Sequence, residues 1–119
     1  MSPEAHDAAF AAVSHLPHLL AFAAYLSIAQ QPEGERFLEL AGPGFCDFTR
    51  IAASDAKVWR DILLANREQV LVQAEHFKTK LYRFEEAMRE GRGDVVEALI
   101  KEAARGRAGW QMNSPRNGA

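Results

Sequence analysis

Apolar residues recur at helical spacing along most of the chain, and no stretch shows the alternation of a half-buried strand. Ser2-Pro3-Glu4 provides an N-cap, a first-turn proline and a first-turn acid, so it predicts the start of a helix. This helix is expected to run to about Ala29, because Gln31-Pro32 stops it. The pattern predicts an all-α fold.

Turn and capping residues divide the rest of the chain into shorter helices. The predicted elements, in chain order, are a short helix near Glu33–Ala41, a loop at Gly42-Pro43-Gly44, a one- or two-turn helix capped by Asp47 that carries Thr49 and Arg50, a helix capped by Ser54-Asp55 that holds Trp59, and a new helix or a bend at Asn66.

A later segment alternates spacings of four and three residues, as a helix does when it packs along its length. This seam consists of Val70, Ala74, Phe77, Leu81, Phe84 and Met88. Gly91-Arg92-Gly93 ends the helix, and Asp94 is expected to cap a final helix that runs to about Arg105. We expect residues 1–112 to form one helical domain, and the polar residues 113–119 to form a disordered tail.

The first helix is apolar on every side, so it needs to be surrounded. Its large residues are Phe10, Val13, Leu16, Leu19, Leu20, Phe22, Tyr25, Leu26 and Ile28. One chain has few other helices to surround it, and a second copy would supply the missing wall. We therefore predict a helical bundle that forms an intertwined homodimer and buries more than about 2,000 Å². A compact monomeric bundle is the alternative.

Polar residues occupy one stripe of this apolar helix, within roughly a quarter turn at about 100° per residue. They are Asp7, Ser14, His15, His18 and Tyr25. Pro17 removes a bond to the carbonyl of Val13 and is expected to bend the helix there. The stripe is explained by a ligand pocket or by core histidines that bond to backbone carbonyls. A metal site with His6 or Asp7 is a third interpretation, although zinc sites usually need four firmly placed ligands.

Arg50 is a candidate anchor for an acidic ligand. Its planar guanidinium can hold a carboxylate through two parallel bonds, and a charge-assisted bond contributes about 1.5–3 kcal/mol. A local ion pair with Asp47, three residues earlier, is the alternative. Trp59 shares an amphipathic face with Ile62 and Leu63, so it belongs to the core or forms a platform for a ligand.

Composition and charge narrow the function classes. The 119 residues are 48% hydrophobic and 25% charged, which is typical of one globular domain. The formal net charge of −2 argues against nucleic acid as a partner. Ala8–Ala29 is nearly long enough to span a bilayer, but its histidines and Pro17 argue against a membrane helix. Cys46 is the only cysteine and no signal peptide is recognisable, so we expect a cytoplasmic location.

Several segments are familiar as a set. They are Pro3–Asp7, Phe10–Ala23 and Gly44–Asp55, followed by Trp59–Ile62 and Ala65–Glu68. Together they resemble the C-terminal helical domain of prephenate dehydrogenases over almost the whole chain. The histidine motif and the arginine motif stand in the family's order and at its separation. The resemblance implies an enzyme that oxidatively decarboxylates prephenate to 4-hydroxyphenylpyruvate, with NAD or NADP as hydride acceptor, in tyrosine biosynthesis.

The resemblance also assigns substrate contacts. The residues concerned are His18, Arg50, His15, Ser14 and Trp59, with Asp47 in support. Arg50 would grip a substrate carboxylate, and His18 would contact the same ligand. Ser14 and His15 would line the region of hydride transfer, and Asp47 would orient Arg50. We expect the two imidazoles and the guanidinium to converge, across paired copies, on one cavity.

The chain departs from the family in one large respect. It has no Gly-x-Gly-x-x-Gly motif after a strand, and the family's catalytic histidine, which lies in the nucleotide-binding domain, is missing. We therefore expect a part of a longer enzyme that has no catalytic residue of its own, binds no cofactor and is inactive alone. Pro43 occupies a loop that is typically glycine-rich in the family, so the resemblance assigns that loop no contacts.

Two alternatives remain open. One is a stand-alone dimeric helical module that binds tyrosine or another aromatic acid, or that binds a protein partner through the Val70–Met88 seam. The other is an enzyme that acts on arogenate, which differs from prephenate by one amino group.

Overall fold

The computed structural model describes residues 1–112, and within them it contains helices and no strand. The elements are α1 (Pro3–Phe10), a π-helical turn (Ala11–His15), α2 (Leu16–Ala29), α3 (Gly34–Glu39), α4 (Pro43–Thr49), a 3₁₀ turn (Arg50–Ala52), α5 (Ala56–Ala65), α6 (Arg67–Arg89) and α7 (Gly93–Gly109). The all-α prediction is confirmed. The predicted disorder of residues 113–119 lies outside the described residues. The chain divides into two compact units, Met1–His76 and Phe77–Ala119.

The long first helix begins and ends where the sequence predicts. Ser2 is the N-cap, and its hydroxyl accepts a 3.1 Å hydrogen bond from the backbone N–H of Ala5. Helical structure then continues through α1, the π turn and α2 to Ala29. The π turn ends two residues before Pro17, and its widened bond runs from the N–H of Leu16 to the carbonyl of Ala11. Proline has no backbone N–H to donate, and the wider turn lies where this missing donor interrupts the regular hydrogen-bond pattern. The sequence predicts a bend at the same place.

The segment before Arg50 differs from the prediction. Helix α4 already begins at Pro43, with Gly42 as its N-cap, so the predicted loop at Gly42-Pro43-Gly44 was wrong. A proline suits the first helical position because its φ is fixed near the helical value and its missing N–H has no helical partner there. Asp47 consequently lies inside α4, and the prediction that it caps a helix was also wrong.

The two junctions around α5 confirm their predictions. Asp55 is the N-cap, and its carboxylate accepts a 3.0 Å hydrogen bond from the backbone N–H of Val58. Asn66 ends α5 with φ −114° and ψ 28°, and α6 begins at the next residue. Trp59 is thereby carried on the second turn of a short, well-capped helix.

In the C-terminal unit, α6 ends as the glycines predict. Gly91 has a φ of 65°, the left-handed conformation that glycine adopts without strain. Its N–H donates to the carbonyl of Met88 at 3.1 Å, and the N–H of Arg92 donates to the carbonyl of Ala87 at 2.9 Å. These two bonds form a Schellman motif, which satisfies carbonyls that the helix end leaves free.

The start of α7 corrects the prediction for Asp94. This residue lies within the first turn of α7 rather than at its cap, and the helix extends to Gly109, past the predicted end at Arg105. The Asp94 carboxylate instead accepts hydrogen bonds from Arg92 at 3.1 and 3.2 Å. These bonds lower the pKa of Asp94 and raise that of Arg92.

The chain alone buries few large side chains. The buried hydrophobic residues of the described part are Ala11, Ala21, Val70 and Ala87, and none of the larger side chains is fully buried. By contrast, Val13 is 75% exposed, Leu71 60% and Met88 67%. Apolar surface of this extent marks an interaction surface.

One helical run within residues 1–112 is long and apolar enough to cross a bilayer by length and composition alone. It extends over Pro3–Ala29. The core helix of a soluble protein meets the same criterion, and α2 packs against α3, α4 and the 3₁₀ turn. Only 11% of the apolar window is buried within the single chain.

Candidate substrate-binding site

Three of the predicted site residues form one aromatic cluster. The imidazole of His18 stacks on the indole of Trp59, with ring centroids 3.6 Å apart and 15° between the planes. His15 meets the same indole edge-on at 6.1 Å, and Phe22 does so at 6.3 Å. The rings come from the π turn, α2 and α5, so the capped helix α5 brings Trp59 to the polar stripe. The prediction left Trp59 either in the core or in a pocket, and it lies half-buried against both histidines.

The backbone of Ser14 fixes the orientation of His18. Nδ1 of His18 lies 2.9 Å from the carbonyl oxygen of Ser14, one helical turn earlier. A carbonyl oxygen can only accept, so Nδ1 is the donor. This is the backbone-satisfied histidine that the sequence left as an alternative, and Nε2 remains free to contact a ligand.

Asn66 is a site residue that the sequence reasoning recognised only as a helix boundary. Its side-chain nitrogen donates to the carbonyl oxygen of Asp7 at 2.8 Å and to Nδ1 of His15 at 3.3 Å. The partners lie 59 and 51 residues earlier in the chain. An amide side chain at a helix junction was the only signal, and nothing local identifies so distant a partner.

Arg50 lies apart from this cluster. It is exposed at the start of the 3₁₀ turn and lines a cavity of about 420 Å³ together with Tyr25, Thr49, Ala52 and Ala53. Among residues 1–112, no ion pair involves Arg50 or Asp47. The local pair that the sequence left as an alternative is therefore not formed, and the guanidinium is available to an anion. The orienting role of Asp47 stays a prediction.

A second cavity, of about 330 Å³, lies beside Trp59. Its lining residues are Phe22, Ala52, Ser54, Ala56, Trp59, Arg60 and Leu63. Ala52 lines both cavities, so the one beside Arg50 adjoins the one beside Trp59. Neither of these two cavities, both formed within residues 1–112, is lined by His15 or His18. The convergence of the two histidines with Arg50 across paired copies stays a prediction.

The charges of this region suit an anion better than a metal ion. An unpaired guanidinium can donate to carboxylate oxygens. His6 lies 3.6 Å from the carboxylate of Asp7, but both side chains are more than half exposed. In the described part of the chain, no group of three or more His, Cys, Asp or Glu residues is placed to hold a metal ion.

The chain is similar to known proteins in sequence and in structure. Residues 2–102 match the family described as prephenate dehydrogenase, dimerization domain. The chain is 32% identical to a cyclohexadienyl dehydrogenase from Zymomonas mobilis over 90% of its own length and 37% of the relative's. A prephenate dehydrogenase from Bacillus subtilis is 41% identical over 60% of the chain and 19% of the relative.

Solved structures show the same fold. A prephenate dehydrogenase from A. aeolicus, crystallised with hydroxyphenyl propionate and NAD+, superposes with a TM-score of 0.79 and 44% identity. The match covers 91% of this chain and 38% of that one. An arogenate dehydrogenase from Synechocystis has a TM-score of 0.84 at 21% identity, covers 91% of this chain and 40% of its own, and shows the fold alone.

The fold and the match define the class of this protein as an all-helical dimerization domain. More particularly, the chain belongs to the family of prephenate dehydrogenase dimerization domains. It spans between 31% and 40% of the length of the relatives that it matches over nine tenths of its own length.

Proposed function

We propose that this chain is the dimerization and substrate-binding part of a cytoplasmic prephenate dehydrogenase, which converts prephenate to 4-hydroxyphenylpyruvate in tyrosine biosynthesis. The main support is a relative of 44% identity that was crystallised with a hydroxyphenyl acid. The observation in this chain that carries the proposal is the stack of His18 on Trp59, whose neighbouring cavity shares Ala52 with the cavity lined by the unpaired Arg50. An aromatic acid needs both an aromatic wall and a cation.

Prephenate is a dianion, so its site needs fixed donors. Arg50 would hold one carboxylate through two parallel bonds, and His18 would donate to or accept from the same ligand through its free Nε2. Ser14 and His15 would line the region of hydride transfer, and Trp59 would form a wall. Held in this way, the leaving carboxylate stays ionised and aligned for loss of carbon dioxide.

The residues of this chain do not fit a nicotinamide cofactor. The sequence has no glycine-rich motif that could cradle a pyrophosphate, and residues 1–112 contain no strand from which such a loop could start. NAD or NADP would be held by a nucleotide-binding domain, as in the family, and would accept the hydride. The chain alone is therefore expected to be inactive.

The second half of the proposal is a homodimer. The family is a dimerization domain, and the exposed apolar residues of this chain, such as Val13 and Leu71, need a cover. In an intertwined pair, the second copy would cover the first helix, which is apolar on every side. Arg50 would then approach a His18–Trp59 stack, either that of its own copy or that of the second copy.

A chimera tests the enzymatic half. This chain would replace the helical domain of the A. aeolicus prephenate dehydrogenase, and the absorbance of NADH would be followed with prephenate and with arogenate. Turnover of prephenate supports the proposal, whereas turnover of arogenate alone would reassign the substrate. A folded, dimeric chimera that turns over neither would contradict the proposal.

A binding experiment on the chain itself tests the site separately. The chain has two tryptophans, and Trp110→Phe leaves Trp59 as the only indole. Titration with hydroxyphenyl propionate is expected to change the Trp59 fluorescence, because the ligand would lie against the indole. Saturable binding of tyrosine in place of this acid, together with an inactive chimera, would favour the stand-alone module.

A further inference from the structure

Asn66 holds together two parts of the N-terminal unit that lie far apart in sequence. It is half-buried at the junction of α5 and α6, and its amide group donates both of its hydrogens to the stretch that includes α1 and the π turn. One bond, of 2.8 Å, goes to the backbone of Asp7, and the other, of 3.3 Å, goes to the ring of His15. A residue that served only as a helix boundary would need neither.

The bond to Asp7 fixes which way the amide faces. A flipped Asn66 would place its own oxygen 2.8 Å from the Asp7 carbonyl oxygen, and two acceptors would then repel each other. The nitrogen therefore faces both partners. Since this nitrogen only donates, Nδ1 of His15 is an acceptor, and the neutral ring carries its proton on Nε2.

His18 shows the opposite arrangement. Its Nδ1 faces the carbonyl oxygen of Ser14 at 2.9 Å and must carry a proton, so the Nε2 of the neutral ring is a free acceptor. The two rings contact the same indole, His15 at its edge and His18 on its face. The site thus contains one imidazole whose Nε2 donates and one whose Nε2 accepts.

We propose that Asn66 is a positioning residue of the site: it keeps His15 as a neutral Nε2–H donor toward a carboxylate oxygen of the ligand. The ligand part of this inference rests on the proposed function. A donor of this kind needs no extra proton, and its direction is set in advance by the half-buried amide of Asn66.

The tautomers can be read directly on the unmodified chain. Long-range ¹H–¹⁵N correlation spectra of the labelled protein distinguish a ring protonated at Nδ1 from one protonated at Nε2. We expect Nε2–H for His15 and Nδ1–H for His18, while the exposed His76 should show the average of a free ring. Substitution of each histidine by glutamine assigns the signals. An Nδ1–H tautomer at His15 would overturn the proposal.

Asn66→Asp tests the cause. The new carboxylate accepts and cannot donate, so the proton of His15 is expected to move to Nδ1, while His18 keeps its tautomer because its partner is a backbone carbonyl. That unchanged His18 signal also reports an intact fold. Gln31→Glu is the matched control, since the amide of Gln31 donates only to the backbone carbonyl of Ser27 at 2.8 Å, within its own helix end. Its spectrum at His15 should not change.

If Asn66→Asp does not fold, Asn66→Ala supplies the same comparison, with His15 expected to show the averaged ring of His76. In Asn66→Asp, a His15 that stays in the Nε2–H form would contradict the proposal, because something other than Asn66 would be setting the tautomer. In Asn66→Ala, a His15 that is more completely Nε2–H than the ring of His76 would contradict it for the same reason.

Kinetics separate this inference from the proposed function. In an active chimera, Asn66→Asp is expected to lower kcat/KM by about tenfold or more, mostly through KM, because a hydrogen bond to a charged ligand is lost. Unchanged kinetics in an active chimera would contradict the positioning role of Asn66 but not the proposed function of the chain. A chimera that is inactive toward every substrate would contradict the proposed function. The tautomer assignment would then be tested by the spectra alone.

Discussion

The His15–His18–Trp59 cluster and the α6–α7 turn differ in how their polar groups are satisfied. In the cluster, Asn66 reaches across more than 50 residues of sequence to fix one ring, and the indole contacts two others. At the α6–α7 turn, the ion pairs are local and exposed: Arg92 with Asp94, and Glu97 with Lys101. The His15–His18–Trp59 cluster uses long-range contacts to hold a few side chains, whereas the α6–α7 turn leaves its apolar surface exposed.

This difference distinguishes a region suited to ligand recognition from a region suited to assembly. Long-range bonds hold side chains in defined orientations, which ligand recognition requires. Local pairs do little for stability at the surface, but they leave a helix face free to meet a partner. A cavity of about 520 Å³ in the C-terminal unit is lined mainly by apolar atoms, at residues that include Met88, Val96 and Ile100. The proposed function accordingly assigns recognition to the N-terminal unit, and we expect part of the dimer surface in the seam of α6.

The largest expected effect tests whether the N-terminal unit is the tightly packed one. A Cβ at Gly34 would lie 2.8 Å from the carbonyl oxygen of Ile28 and closer still to that of Ala29, both of them backbone atoms. Gly34→Ala should therefore cost about 3 kcal/mol. Gly91→Ala in the other unit meets open space and only the strain of its positive φ, about 1 kcal/mol. Urea denaturation at one protein concentration compares them, and equal losses would contradict the difference in packing.

The next effect concerns recognition. In the active chimera, Arg50→Lys should lower kcat/KM by roughly thirtyfold, about 2 kcal/mol, because the planar fork is lost while the charge stays. Steady-state kinetics with prephenate measure it. Arg36→Lys, on α3, is the control and should leave kcat/KM unchanged. Equal kinetics for the two variants would take Arg50 out of the site.

A smaller effect concerns assembly. Leu81 lies on the seam and is 47% exposed in the single chain, so Leu81→Asp should leave the monomer folded. It should raise the dimer dissociation constant by about tenfold or more, equivalent to about 1.4 kcal/mol. Sedimentation equilibrium measures the constant. Arg83→Asp, on the opposite side of α6, brings a larger charge change and should have little effect. The reverse order would move the interface off the seam.

The smallest effect tests the local pairs. The pKa of Asp94 is lowered by its bonds to Arg92, so the unfolded chain binds the proton more readily. The contribution of the Arg92–Asp94 pair to stability is therefore complete at pH values above 3.8, the ordinary pKa of an aspartate, and is lost as the pH falls below that value. Asp94→Asn should be slightly less stable than the parent at pH 6 and equal to it near pH 2, by urea denaturation. A difference in stability between the two proteins that grew as the pH fell would contradict this direction of the pH dependence.

The sequence predicted those parts of the fold whose causes are local. The Ser2 and Asp55 caps, the boundary at Asn66 and the end of α6 at Gly91 each depend on a few neighbouring residues. Two cap assignments failed because other residues were better suited: Gly42 with Pro43 displaced Asp47, and Arg92 engaged the carboxylate of Asp94.

For the site, periodicity placed His15 and His18 on one stripe, and the structure brings both to Trp59. It could not place Asn66, because the contact depends on how α5 returns to the first helix. Nor could it place Arg50 against His15 and His18, since in the single chain Arg50 lines the adjoining cavity together with Tyr25.

The π turn at Ala11–His15 has a consequence for the chain's tolerance of insertions and deletions. Such a turn holds one residue more than an α-helical turn, so α1 is rotated by about 100° from the course of an uninterrupted helix. The carbonyl of Asp7 and the ring of His15 meet one amide in this register. Loss of a single alanine from this stretch would restore a regular helix with Asp7 still facing Asn66, whereas insertion of one further residue would rotate α1 by about another 100° and turn Asp7 away.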